Sequence, residues 1–94
     1  MIKNWITGDI LINKEGSDFC VYVDLVSEED TFAATLKVNN QGYDYFDDLE
    51  DGVDWYLRKD YRLANAEEIK EFHKMLHKFN VDWDDKSETL RFWA

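Results

Sequence analysis

Asn65-Ala66-Glu67-Glu68-Ile69-Lys70-Glu71-Phe72-His73-Lys74-Met75-Leu76-His77-Lys78-Phe79-Asn80 is the stretch that decides the fold class of this chain. Asn65 and Glu68 form an Asn-x-x-Glu capping box: the Asn side chain accepts from the amide three residues on, and the Glu side chain reaches back to the Asn amide. Beyond the cap, Ile69, Phe72, Leu76 and Phe79 recur at spacings of three and four, with Met75 beside them, which makes one apolar stripe. Glu67 and Glu68 sit at the positive end of the helix dipole, and Lys74, His77 and Lys78 near the negative end. Asn80 tolerates the left-handed conformation that stops a helix. The pattern predicts one helix over residues 65–79.

Outward from that helix the period changes to two. On the C-terminal side, Val81-Asp82-Trp83 and Thr89-Leu90-Arg91-Phe92-Trp93 alternate around a polar turn and read as a hairpin over 81–93, with Val81, Trp83, Leu90 and Phe92 available to pack on the helix. On the N-terminal side, Ile10–Ile12 is a short strand ended by the turn-rich run from Asn13 to Asp18. Phe19–Val26 is a buried strand with Phe19, Val21, Val23 and Leu25 on one face. Phe32, Ala34, Leu36 and Val38 then alternate with Thr31, Ala33, Thr35 and Lys37, the signature of a half-buried strand. Asn39-Asn40-Gln41-Gly42 is a turn of residues that accept left-handed backbone, Tyr43–Phe46 pairs back, and Trp55–Leu57 adds a short strand. The expected architecture is α+β: a small antiparallel sheet or SH3-like barrel over residues 5–57, one amphipathic helix, and a C-terminal β-hairpin. With no Pro and no linker-like run, residues 1–94 form a single domain.

The charge is lopsided. Residues 1–57 hold 13 Asp and Glu against 3 Lys and Arg, and residues 58–94 hold 8 against 8, so the whole net charge of −10 belongs to the first part. Such a surface repels nucleic acid and anionic membranes and attracts basic protein surfaces. Hydrophobic residues at 45%, with 16% aromatic, give enough apolar area to order the chain despite that charge. Cys20 stands alone between Phe19 and Val21, which reads as an inert packing residue and fits a reducing compartment. Residues 1–8 lack the apolar core of a signal peptide, and no run approaches a membrane span, so the expected location is the cytoplasm.

The segment Tyr43-Asp44-Tyr45-Phe46-Asp47-Asp48-Leu49-Glu50-Asp51-Gly52-Val53-Asp54-Trp55-Tyr56 concentrates six carboxylates without a basic residue. Mutual repulsion has a cost that a cation or a basic partner relieves. Calcium does not fit, because counting from Asp48 puts Glu50 at the third position and Gly52 already at the fifth. A charge run of this kind is in the first place a solvated loop. Its functional reading is an interface, with Asp44, Asp47, Asp48, Glu50, Asp51 and Asp54 supplying charge, Tyr43, Tyr45 and Trp55 as anchors, and Glu28, Glu29 and Asp30 extending the field. His73 and His77 have the i, i+4 spacing of a helix-borne metal pair, but no Glu lies at the intervening catalytic position and no third ligand is evident, so they read as border residues of the apolar stripe. No phosphate loop, nucleophile elbow or Cys-x-x-Cys pair occurs. The expectation is therefore a non-catalytic acidic protein-binding module with no cofactor and no metal, acting as an inhibitor that mimics nucleic acid toward a basic, nucleic-acid-handling protein. A small-molecule or ion-binding module and a structural or oligomerisation component of an assembly are the alternatives.

Arg62-Leu63-Ala64-Asn65-Ala66-Glu67-Glu68, followed by Phe72, Leu76 and Val81-Asp82-Trp83-Asp84, resembles the C-terminal portion of small accessory proteins of gut-Bacteroidales phages. Gly8-Asp9-Ile10-Leu11 is similar to the opening of the small barrels that precede it in those proteins. The sequence departs from that pattern at Asn65, where Thr is usual, and at Asn80-Val81, where Gly and an aromatic are usual. The resemblance implies a phage or prophage protein working in a bacterial cytoplasm.

Overall fold

Hairpins joined by side-chain-stabilised turns build most of this α+β chain, whose computed structural model describes residues 5–23, 32–46, 53–55, 60–87 and 89–92. In chain order the elements are β1 (Ile10–Asn13), β2 (Phe19–Val23), β3 (Phe32–Asn39), β4 (Gly42–Tyr45), β5 (Val53–Trp55), β6 (Tyr61–Leu63), α1 (Ala66–His77), β7 (Val81–Asp84) and β8 (Thr89–Phe92). Asn13 organises the first turn. Its buried side chain accepts from the amides of Ser17 (2.9 Å) and Asp18 (3.2 Å) and donates to Ser17 Oγ and Asp18 Oδ2, so a buried polar group is fully used. Gly16, at φ 74°, supplies the one left-handed step in that turn. The β3–β4 turn corrects an expectation: none of its residues has positive φ, and the Asn39 side chain holds it by accepting from the Gln41 amide at 2.8 Å.

All neighbouring strands are antiparallel, in the order β4-β3-β2-β1-β6, with β5 also on β3. Among the described residues that path is open, with β4 and β6 at its two ends, so the sheet alternative holds and the barrel does not close. Strand β6 was not expected. Tyr61–Leu63 falls between a charged run and the helix cap and is too short to show a period, yet it pairs with Leu11–Asn13 of β1.

The sheet is packed on both faces, and a bulge in β3 divides that strand between them. Val21 pairs with Leu36 but Tyr22 with Ala34, leaving Thr35 as the extra residue of β3. Because side chains alternate with period two, one inserted residue moves everything before it to the other face. Leu36 and Val38 therefore join Ile10, Ile12, Phe19 and Val21 on one side, while Ala34 joins Leu11, Cys20, Tyr22, Tyr61 and Trp5 on the other. The strict alternation expected for this strand is broken at that point. Thr35 is not left unpaired, since it exchanges bonds with Phe46, accepting from its amide at 2.8 Å and donating to its carbonyl from Oγ1 at 3.2 Å.

The helix covers the first face. Its predicted span shortens to 66–77, with both halves of the capping box formed at Asn65 and Glu68 and with Asn80 at φ 61° after the last turn. Phe72 and Leu76 are fully buried, and the Phe72 ring lies 5.7 Å from that of Phe19. Each such side chain contributes about 1.5–3 kcal/mol by leaving water. Val81, Trp83 and Leu90 of the β7–β8 hairpin complete this core. Phe92, expected to join them, is 66% exposed at the hairpin's end.

Candidate functional site

Strand β3 fixes both flanks of the acidic segment. Strand β2 occupies one edge of β3, so the opposite edge takes β4 along Leu36–Asn39 and then β5 along Phe32–Ala34. Tyr45 pairs with Leu36 and Val53 with Ala34, so the strand residues that bracket the segment are anchored two positions apart on one strand. Of the residues expected to form the interface, Tyr43, Asp44 and Tyr45 lie on β4, and Asp54 and Trp55 on β5 through their backbone. Asp47, Asp48, Glu50 and Asp51, together with Glu28, Glu29 and Asp30, lie outside the described residues.

Within β4 the alternation assigns different work to neighbouring residues. Tyr43 and Tyr45 are half-buried and pack against the main core, and the Tyr43 ring stands 6.0 Å from that of Phe79. Their rings are held by the fold itself. Asp44 is exposed on the other side, directly across from Lys37 of β3. An open polar depression of about 240 Å³ runs along this hairpin, lined by Lys37, Asn39, Gln41, Gly42, Tyr43 and Asp44. Small-ligand pockets are mostly apolar, and this one is not.

Other carboxylates of the first part are engaged in local structure. Asp9 accepts from the Ile6 amide at 2.9 Å, and Asp18 from Asn13 Nδ2 at 3.2 Å. Among the described residues of the second part, three cations pair with acids of the same part, while Asp60 stands 3.9 Å from Lys14 of the first. Arg62 donates two bonds to Glu68, at 2.7 and 2.6 Å, while Lys74 stands 3.7 Å from Glu71 and Arg91 3.8 Å from Asp84. The Arg62 guanidinium and then the Asn65 amide lower the Glu68 carboxyl to about 2, so it stays ionised and serves the cap and the ion pair together.

A side-chain cluster that the sequence did not reveal sits where α1 meets β7. His73 Nδ1 lies 2.6 Å from Asp82 Oδ1, and His77 Nε2 lies 3.1 Å from Asp82 Oδ2. The Trp83 amide also donates to Oδ1 at 2.8 Å. An ionised carboxylate only accepts, so the tautomers that fit carry a proton on Nδ1 of His73 and Nε2 of His77. Partial burial pushes the Asp82 carboxyl up, but the bonds from His73, His77 and the Trp83 amide outweigh it and hold the group below the usual carboxylate range. The i, i+4 spacing was visible. What it lacked was Asp82, which only the left-handed step at Asn80 folds back beside the helix. The two rings are 6.5 Å apart with one carboxylate oxygen for each, and among the described residues no three His, Cys, Asp or Glu side chains are grouped to hold a metal ion.

Cys20 is fully buried in the second face, and burial pushes its thiol up to about 12 against a smaller opposing pull from Lys37. At neutral pH that leaves it as a thiol, consistent with a packing role. No helix among the described residues is long and apolar enough to cross a membrane. No family model, no curated protein and no solved structure matches this chain.

Proposed function

We propose that this chain is a non-catalytic binding module whose acidic segment, residues 43–56, docks on a basic protein surface. The observation that carries the reading is the separation of charge: all of the net −10 belongs to residues 1–57, while residues 58–94 are neutral overall and three of their cations, Arg62, Lys74 and Arg91, sit in ion pairs with acids of the same part. The excess negative potential is thus left for something outside the chain to meet, and attraction of this kind steers association and selects cationic partners. Anchoring β4 and β5 on one edge of β3 supports the reading further, because it limits the conformational freedom to be lost on binding at the flanks.

The partner class that fits is a protein shaped to hold the phosphates of a nucleic acid, with the carboxylates standing in for them. The resemblance to phage accessory proteins directs the search to bacterial host proteins in the cytoplasm. The test compares the wild type with a variant carrying Asp47→Asn, Asp48→Asn, Glu50→Gln and Asp51→Asn, after circular dichroism has established equal folding. Each is used to capture proteins from bacterial lysate at low ionic strength and again at raised salt. The wild type is expected to hold a basic partner that salt releases and that the amide variant fails to capture. Retention of every partner by the variant would reduce the segment to a solubilising loop.

A further inference from the structure

No further inference is drawn: the strongest candidate, the His73–His77–Asp82 cluster at the junction of α1 and β7, carries nothing because each imidazole already spends a nitrogen on one oxygen of the same carboxylate, which accounts for the cluster as a clasp between helix and hairpin.

Discussion

Replacing Phe72 by alanine tests the central packing of this fold. The side chain is fully buried, with its ring 5.7 Å from Phe19 of β2, and it joins the helix to the sheet face formed by Ile10, Ile12, Phe19, Val21, Leu36 and Val38. Removing it forfeits the transfer free energy of the ring and leaves a cavity that the surroundings fill only in part, a combined loss of about 3–5 kcal/mol. A domain of this size has a total stability of about 5–14 kcal/mol, so the variant loses a fifth of it at the least and in the worst case all of it. At roughly 4–8 °C per kcal/mol, Tm falls by about 12–40 °C. The matched control is Phe92→Ala, since Phe92 is 66% exposed and its removal is expected to cost no more than about 0.5 kcal/mol. Both variants are measured by thermal and urea unfolding monitored by circular dichroism. Equal losses for the two phenylalanines, or a loss below about 1 kcal/mol for Phe72→Ala, would refute the packing of α1 on the sheet through this residue.

Three further outcomes follow from the same structure. Asn65→Ala removes the acceptor for the Glu68 amide and is expected to cost about 1 kcal/mol in urea unfolding, while Asn65→Asp keeps the cap and most of the stability. Asp82 has a folded-state pKa below its unfolded value of about 3.9, so its contribution is complete above that value and disappears as pH falls through the lower folded one. Asp82→Asn should therefore flatten that acid limb of the stability profile, and an unchanged limb would count against the clasp. Cys20, buried with its thiol pushed up to about 12, is expected to resist a thiol-directed disulfide reagent at pH 8 in the native protein and to react promptly in denaturant. Prompt reaction of the native thiol would contradict its burial.

The α1 helix was legible because its determinants are local: a cap, a stripe and a stop within sixteen residues, each made by neighbours a turn apart. The β7–β8 hairpin was legible for the same reason, although the exposure of Phe92 at its end was not, since exposure depends on what lies opposite. The acidic segment could be found by counting. That its flanking strands share one edge of β3 could not, because strand order is set by contacts distant in sequence.

Local chemistry thus settled by itself where the helix begins, that turns follow Asn13 and Asn39, and that the net negative charge belongs to the first part of the chain. Tertiary structure decided the rest. The Thr35 bulge moves Ala34 to the face opposite Leu36 and Val38, so that β3 contributes to both packed sides, because a single added residue inverts a two-residue period and only the pairing partner dictates where it is added. The β6 strand exists because β1 offers it an edge, and Asp82 meets His73 and His77 because the chain reverses at Asn80. Pairing and convergence are relations between residues far apart along the chain or turned back on one another, and these are fixed only when the core closes.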